Sequence, residues 1–290
     1  SSAGYIASPQ RDGGFIMSIG AVGAAGNLDS FCSMAGNRRV FMKYSASGLL
    51  QWTRCYHDNF FDSGFIYMDS TLDGNLVLGG MKFGTTHEFL IRKETPGGAE
   101  IWSKTYGDSA EVILQHMLAT KDGGYLLAGV AYYTNSDFTV NYGAGDICLL
   151  KIDSNGNKVW SKVIGGSGYD YVWRIVEGPA SEFSSGGDDF YIVGSTASND
   201  HDCTGWHVDT VGGRDLYVAR LSNNGNIIWH KDLGGINDEL GTCGWPDGRG
   251  GLLVCAATTS DDGDVSHKIN PVGGNMGLVD IDAGGTVLWN

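Results

Sequence analysis

Residues 145–162 read GDICLLKIDSNGNKVWSK: an alternating apolar run, an Asn-Gly pair, and a tryptophan four residues after the glycine. This spacing occurs five times in the 290-residue chain: at Gly48 and Trp52, Gly98 and Trp102, Gly156 and Trp160, Gly225 and Trp229, and Gly285 and Trp289. A recurring internal spacing indicates a structural unit that has been copied. The sequence therefore predicts five copies of one unit.

Each copy carries signals for four short strands, which we name A to D in chain order. Strand A leads into an Asp-Gly turn, such as Asp122–Gly124, and strand B follows that turn. Strand C alternates in polarity, and a turn such as Asn155–Gly156 joins it to strand D, which holds the tryptophan. Glycine at these turns supplies the positive φ that tight hairpins require.

Four antiparallel strands repeated along the whole chain predict an all-β fold, a five-bladed β-propeller. A chain of 290 residues is compatible with a single domain spanning 1–290. The blades are predicted at 1–56, 57–106, 107–164, 165–233 and 234–290. Because the first copy starts at strand A and the last stops one residue after Trp289, we expect a closed five-bladed ring rather than part of a larger one.

The repeat also makes predictions about its tryptophans and its charged positions. The five tryptophans are expected to pack between neighbouring blades, since burial of an aromatic ring contributes strongly to a core. A cation stands five residues before the glycine in four copies, and an aspartate takes this place in the fifth: Lys43, Lys93, Lys151, Arg220 and Asp280. Charged side chains are mostly exposed, so these are expected at the surface.

The repeated residues allow a comparison with known sequences. The relevant segments are Asp122–Tyr125, Gly145–Lys162, Ile228–Lys231, Ser195–Asp200 and Thr258–Val265. They resemble the Asp-Gly-Gly-Tyr and Leu-Val-Lys-Leu-Asp-x-x-Gly-Asn-x-x-Trp-x-Lys repeats of bacterial secreted β-propeller proteins. The resemblance covers nearly all of the chain, most closely in copies three to five. It implies a propeller in a secreted or cell-surface protein, and it transfers no catalytic residue because that family is functionally diverse.

Charge and composition exclude some classes of function. The chain has 33 acidic and 19 basic residues, a net charge of −14, which disfavours nucleic acid because phosphate binding needs clustered Lys and Arg. No stretch approaches the roughly 18 consecutive apolar residues of a membrane span, and no signal region opens the sequence. The six cysteines show no zinc-ligand spacing. Cys243 and Cys255 flank a turn, so they form either a cross-strand disulfide or a pair of free thiols.

The connections between strands B and C are long in four copies, at 21–38, 130–144, 195–213 and 257–274. They emerge on the same face of a propeller as the D–A connections, and long loops on a rigid scaffold are where binding usually resides. Aromatic rings with neighbouring polar groups suit a sugar-binding surface. This face carries Tyr132, Tyr133, Tyr142, Phe60, Phe61, and Trp206 beside His207. The alternative is that these rings only hold the loops in place.

A carboxylate is expected near the start of strand A in four copies: Asp62, Glu111, Asp170 and Glu239. Together they would form an acidic ring at the mouth of the channel. Such a ring would bind a ligand, either a cation or a sugar, and paired carboxylates suit sugar hydrolysis. The alternative is capping, in which each carboxylate accepts backbone N–H groups from a repeated turn.

Aspartates also cluster in two B–C loops: Asp200, Asp202, Asp261, Asp262 and Asp264. These are the candidate metal ligands, because Ca²⁺ takes six to eight oxygen ligands. The loops contain no EF-hand pattern, and aspartates with glycine also form turns without any metal. Ca²⁺ is the one cofactor that the sequence suggests.

No GxSxG, P-loop, dinucleotide-binding or HExxH motif is present. The sequence therefore favours a non-catalytic binding module, secreted or at the cell surface, either alone or within a larger surface protein. Its predicted partner is a glycan or a cell-surface protein bound at the long-loop face. Two alternatives stay open. The first is a carbohydrate-active enzyme, a glycoside hydrolase or polysaccharide lyase, using channel carboxylates or His116 and Arg174 on strand A, where Trp245 also lies. The second is a structural adhesin or spacer domain.

Overall fold

The structure is a computed structural model that describes residues 2–10, 12–21, 38–57, 67–108, 111–181, 187–204, 213–265 and 274–290. Secondary structure in these ranges is β-strand apart from a single 3₁₀ turn at Gly263–Val265. Within the same ranges, no helix has the length and apolar character needed to cross a membrane.

The described strands form five antiparallel sheets, each ordered as in the chain. Blade 1 holds β1 (Ser2–Pro9), β2 (Phe15–Ala21), β3 (Arg38–Tyr44) and β4 (Leu50–His57). Blade 2 holds β5 (Tyr67–Ser70), β6 (Leu76–Phe83), β7 (His87–Glu94) and β8 (Glu100–Tyr106). Blade 3 holds β9 (Val112–Ala119), β10 (Tyr125–Ala131), β11 (Asp146–Ile152) and β12 (Lys158–Ile164). Blade 4 holds β13 (Asp170–Gly178), β14 (Asp189–Thr196), β15 (Asp215–Leu221) and β16 (Ile227–Leu233). Blade 5 holds β17 (Glu239–Pro246), β18 (Leu252–Thr258), β19 (Asn275–Ile281) and β20 (Val287–Trp289).

The blades follow one another around an axis, because strand A of each blade contacts strand A of the blade before it: β5 on β1, β9 on β5, β13 on β9, and β17 on β13. Apolar side chains fill the space between consecutive sheets. For example, Leu149 of blade 3 and Ile192 of blade 4 are fully buried in one cluster. The fold is a five-bladed β-propeller, which confirms the predicted fold class.

The tryptophan and glycine of the repeat meet across neighbouring blades. The indole N–H of Trp160 donates a 3.0 Å hydrogen bond to the carbonyl of Asn223 in the next C–D turn. A Cβ on Gly225 of that turn would come within 2.9 Å of the same ring, and Gly225 has a φ of +83°. Trp102 and Trp229 make the corresponding contacts with Ser154 and Ala283. The glycine is therefore needed both for the turn and for the tryptophan of the preceding blade.

The fifth copy departs from this rule. Trp289 is 49% exposed, and a Cβ at Gly48 would meet no atom within 4 Å. On β19, Met276 is 64% exposed, whereas Ile147 at the same register of blade 3 is fully buried. Among the described residues, the contact that joins blade 2 to 3, 3 to 4 and 4 to 5 does not join blade 5 to blade 1. The expected closed ring is therefore not made through this contact.

The cations of strand C are buried, not at the surface as expected. Each pairs with an aspartate of its own blade at 2.6–2.9 Å: Lys43 with Asp12, Lys93 with Asp73, Lys151 with Asp122, and Arg220 with Asp189. In blade 5 the polarity is inverted, because Asp280 takes the place of the cation. The Asp280 carboxylate forms an ion pair with Arg249 of the A–B turn, at an N–O distance of 2.8 Å. Blade 5 thus also has an ion pair between strand C and the A–B turn, with the negative charge on strand C and the positive charge on the turn.

The cysteines differ in their bonding. Cys55 is disulfide-bonded. Cys243 and Cys255 lie directly opposite each other on β17 and β18 and are free thiols. Of the two alternatives for that pair, the structure has the free thiols.

Candidate functional site

Strand A of blades 2 to 5 presents one side chain each at the same register position: Tyr67, His116, Arg174 and Cys243. The rings of Tyr67 and His116 lie 5.0 Å apart. The positive charge of Arg174 influences the pKa of Tyr67, of His116 and of Cys243, although each belongs to a different blade. The Arg174 side chain therefore lies where these strands converge, and we name the four residues the axial cluster. Trp245 is exposed and lies two residues beyond Cys243.

His116 is the most buried polar group of the axial cluster. Its burial, and then the positive charge of Arg174, lower the pKa of His116 well below its usual range, so the imidazole is neutral. Its Nδ1 and the Nε of Arg174 are both buried and have no hydrogen-bond partner in the described structure. The cluster thus contains a single permanent charge, that of Arg174, together with unused hydrogen-bonding capacity.

Three aromatic rings stand in a row at the start of β13: Tyr169, Tyr171 and Trp173. The ring centroids of Tyr169 and Tyr171, and those of Tyr171 and Trp173, are 6.3 Å apart with interplanar angles of 21°. Tyr169 is 45% exposed, and the other two are half-buried. We name this row the aromatic ladder. It ends at Trp173, directly before Arg174 of the axial cluster.

Neighbouring blade elements contribute further groups to the ladder. The guanidinium of Arg214, just before β15, lies 5.1 Å from the centroid of the Tyr171 ring. Tyr132 follows β10 of blade 3 and also meets Tyr171. Burial, and then the neighbouring Tyr171 hydroxyl, raise the pKa of Tyr132 to about 12. Of the predicted tyrosines, Tyr132 therefore joins the ladder, while Tyr133 is exposed and Tyr142 stacks at 4.7 Å on His201.

Glu111 lies near Tyr132 but not in the predicted ring. The backbone N–H of Tyr132 donates to its carbonyl, and its carboxylate pairs with Nδ1 of His87. Glu111 precedes β9 by one residue, so Val112 occupies the register position that Asp170 and Glu239 hold in blades 4 and 5. A difference of one residue turns a strand side chain to the other face. Glu111 is therefore half-buried at the loop face, with a positive φ of 49°.

Asp170 and Glu239 are fully buried. Asp170 accepts hydrogen bonds from Thr196 Oγ1 (2.5 Å), Ser198 Oγ (2.9 Å) and the backbone N–H of Gly166 (2.9 Å). Glu239 accepts hydrogen bonds from equivalent residues one blade later, Thr258 Oγ1 (2.7 Å), the backbone N–H of Gly235 (2.8 Å) and, in place of the serine hydroxyl, the backbone N–H of Ser260 (3.3 Å). These contacts are the capping arrangement. The described residues therefore do not form the predicted acidic ring, because these two carboxylates are buried in the blade junctions and hydrogen-bonded there.

A second carboxylate lies beside each of these caps. A Cβ on Gly165 would overlap Oδ1 of Asp146 and would lie 2.7 Å from Oδ2 of Asp170, so the two carboxylates face each other across this glycine. Asp215, Glu239 and Gly234 repeat the arrangement in the next junction. Burial, and then the charge of Asp170, raise the pKa of Asp146 to about 6. Since neither carboxylate of the pair is exposed, we assign the pair to the scaffold.

The raised pKa of Asp146 predicts a pH dependence of stability. In the folded state Asp146 keeps its proton up to about pH 6, whereas the unfolded chain loses it near pH 3.8. The folded state binds more protons in this window, so this contribution to stability is lost as the pH rises through it. Asp146→Asn mimics the protonated group. We expect the free energy of unfolding of this variant, taken relative to wild type, to be higher at pH 7 than at pH 4 by on the order of 2 kcal/mol. Urea unfolding at the two pH values measures this. An equal difference between variant and wild type at both pH values would contradict the assignment.

Two of the predicted calcium ligands, Asp200 and Asp262, form hydrogen bonds at the same blade junctions. Oδ1 of Asp200 accepts the backbone N–H of Ser167 at 2.7 Å, and Oδ1 of Asp262 accepts that of Ile236 at 2.9 Å. The hydroxyl of Tyr217 donates to the carbonyl of Asp202. Within the described ranges, Asp200, Asp202, Asp261, Asp262 and Asp264 do not form a group of three or more metal-ligating side chains. Asp200 and Asp262 thus each tie their B–C loop to the D–A connection that precedes strand A of the same blade.

Three predicted site residues, Asp62, Trp206 and His207, lie outside the described residues. The sequence did not point to the three rings of the ladder, Tyr169, Tyr171 and Trp173, to Arg214 beside them, or to the positions of Tyr67 and Cys243 in the axial cluster. A signal for three of them was present in Tyr169-x-Tyr171-x-Trp173, since side chains at alternate positions of a strand share a face. Nothing local in the sequence indicates that Arg214 reaches this face.

No protein-family model matches the chain, and no curated protein matches it. Solved structures do resemble it. A puromycin hydrolase S511A mutant complexed with PGG has a TM-score of 0.50 and 14% identity, over 98% of this chain and 39% of that one. A protein of unknown function from Dyadobacter fermentans has a TM-score of 0.49 and 14% identity, over 98% and 80%. The GH43_1 enzyme from Xanthomonas citri has a TM-score of 0.43 and 11% identity, over 100% and 90%. The chain thus spans about two fifths of the puromycin hydrolase it resembles, and likeness at these identities shows the fold alone.

Proposed function

We propose that this protein is a secreted or cell-surface binding module that recognises a glycan through the aromatic ladder. The observation that carries the proposal is the row of Tyr169, Tyr171 and Trp173, which are solvent-accessible, whereas the alternating residues Asp170 and Val172 are fully buried. Flat aromatic faces bordered by polar groups are suited to stacking on sugar rings.

The surroundings of the ladder support a binding role. The junction carboxylates, the strand-C cations and the turn glycines recur in several blades, and they are buried or take part in packing. The ladder occurs in blade 4, where Tyr171 and Trp173 lie on β13 and Tyr169 directly precedes it in a bridge with Gly145. A rigid row of rings loses little conformational freedom when a ligand binds, which favours affinity.

The proposed location also has support. Cys55 is disulfide-bonded, and disulfides persist in oxidising compartments such as the cell exterior. The net charge of −14 suits a protein that stays soluble and monodisperse outside the cell. Both points agree with the secreted setting that the repeat resemblance implies.

The ladder is tested by removing its central ring. We expect Tyr171→Ala to weaken glycan binding about tenfold or more, since the stacked neighbours lose their shared surface. A glycan array with neutral and acidic members identifies the ligand, and calorimetry on the purified variants measures the loss.

Trp289→Ala is the control, because Trp289 is an exposed aromatic ring on β20 of another blade. It should bind as wild type does. Wild-type protein that binds no member of the array, or a Tyr171→Ala variant that is folded and binds normally, would overturn the proposal. Turnover of an array sugar by the wild-type protein would favour the carbohydrate-active enzyme instead.

A further inference from the structure

Six arginines on or beside the strands of blades 1, 2, 4 and 5 differ in their ion pairing. Arg54, Arg92, Arg220 and Arg249 form ion pairs with carboxylates at 2.7–3.5 Å. Arg174 and Arg214 form no ion pair with a carboxylate of the described residues. In a chain with 33 acidic and 19 basic residues, an arginine that is partly buried without a counter-ion is unexpected. Arg214 lies against the Tyr171 ring of the ladder, and Arg174 directly follows Trp173 in the chain.

Arg174 has neutral neighbours. Its positive charge affects the pKa values of Tyr67, His116 and Cys243. Burial, and then the charge of Arg174 itself, lower the pKa of His116, so that His116 is neutral. The Nε of Arg174 is buried and makes no hydrogen bond to the described residues, and the same holds for Nδ1 of His116, which is 5% exposed. A partly buried guanidinium without an acceptor is costly for a folded protein. An anion from outside the chain would remove that cost.

Arg214 contacts the central ring of the ladder. Its guanidinium covers the Tyr171 ring at 5.1 Å. Its backbone is fixed at the junction of blades 4 and 5, where the N–H of Glu239 donates to its carbonyl and its own N–H donates to Asp238. A guanidinium stacked on a ring keeps its N–H edge free to bind an anion in two-point contact.

We infer that the glycan bound by the ladder is anionic, a saccharide that carries carboxylate or sulfate groups read by Arg174 and Arg214. The inference rests on the proposed glycan-binding function and specifies its ligand class. Tyr169, Tyr171 and Trp173 stack on sugar rings, while the two guanidinium groups pair with the charged substituents. A short anionic saccharide fits better than a nucleic acid, because the net charge of −14 repels a long polyanion.

The test uses two matched pairs of saccharides on the whole protein by calorimetry. Hexagalacturonate is compared with its methyl ester, and sulfated cellohexaose with cellohexaose, so that each pair differs in charge. We expect at least one charged member to bind about tenfold more tightly than its uncharged partner. The pair that shows this preference identifies the anion. We expect Arg174→Gln and Arg214→Gln each to reduce the preference several-fold, and Arg249→Gln, in an exposed arginine already paired with Asp280, to leave it unchanged.

Stability gives an independent readout for Arg174. Replacing an uncompensated, partly buried charge by a neutral amide should leave the unfolding midpoint of the ligand-free protein at or above that of wild type. Equal binding of charged and uncharged partners would overturn the inference and leave the glycan-binding proposal standing. Absence of binding to every saccharide, including the full array, would overturn the proposed function itself. A stable Arg174→Gln, Arg214→Gln double variant that keeps the wild-type preference would also overturn the inference.

Discussion

Substitution of Gly165 by alanine is expected to destabilise the protein by about 3 kcal/mol or more, the upper range for an overpacked core. The new methyl group would overlap Oδ1 of Asp146 and would lie 2.7 Å from Oδ2 of Asp170. Neither carboxylate can retreat cheaply. Asp146 accepts the backbone N–H of Tyr142 at 2.7 Å, and Asp170 is fixed by its hydrogen bonds to Thr196 and Ser198.

The same change in the next junction provides a repeat of the experiment. A Cβ on Gly234 would overlap Oδ1 of Asp215 and would lie 2.5 Å from Oε2 of Glu239, so Gly234→Ala should cost a similar amount. The control is Gly97→Ala, where the nearest atom to the new Cβ is Oγ1 of Thr95 at 3.6 Å and the backbone does not have positive φ. It should change stability by no more than about 0.5 kcal/mol. Urea unfolding measures all three, and equal midpoints for Gly165→Ala and Gly97→Ala would show that the junction is not tightly packed.

The fold could be predicted from the sequence because the repeat states each local rule several times. The spacing of Gly156 and Trp160 encodes a turn and an inter-blade contact together, and the same spacing recurs in four other copies. Alternation along strand C and the Asp-Gly and Asn-Gly turns agree with that reading. Agreement between independent local signals is what makes a fold readable from sequence.

The site was less predictable, since it depends on strand phase and on contacts between copies. Glu111 and Asp170 appear equivalent in sequence, but the register gives the position of Asp170 to Val112 in blade 3. That shift of one residue separates a buried cap from a group at the loop face. Arg214 joins the ladder through the geometry of the junction between blades 4 and 5, which no short stretch of sequence encodes.

Repetition itself separates scaffold from site in this molecule. Carboxylates that recur at the junctions, such as Asp170 and Glu239, are fully buried and saturated with hydrogen bonds. The residues that differ between blades at the same register, Tyr67, His116, Arg174 and Cys243, converge near the axis, and His116 and Arg174 keep polar atoms without a partner among the described residues. We therefore expect substitutions in the first group to affect mainly stability, and substitutions in the second to affect mainly binding.

The inverted ion pair of blade 5 predicts that two opposite charge changes have very unequal costs. Lys151→Asp in blade 3 should destabilise the protein by about 3–5 kcal/mol, the range for a buried charge that has lost its partner. The new carboxylate would be buried at a position that is 3% exposed, close to the carboxylate of Asp122. Lys151→Met should cost much less, because the Asp122 side chain is 61% exposed and water solvates it when the lysine is gone.

Asp280→Lys makes the reverse change at the equivalent position of blade 5, and we expect it to alter stability by no more than about 1 kcal/mol. A lysine at 280 would find Asp247 in the A–B turn, where the other blades have Asp73 or Asp122, and the exposed Arg249 would return to solvent. Thermal and urea unfolding of the three variants compare the costs directly. If Asp280→Lys were as damaging as Lys151→Asp, then the surroundings of each blade, and not the pairing within it, would decide which charge strand C can bury.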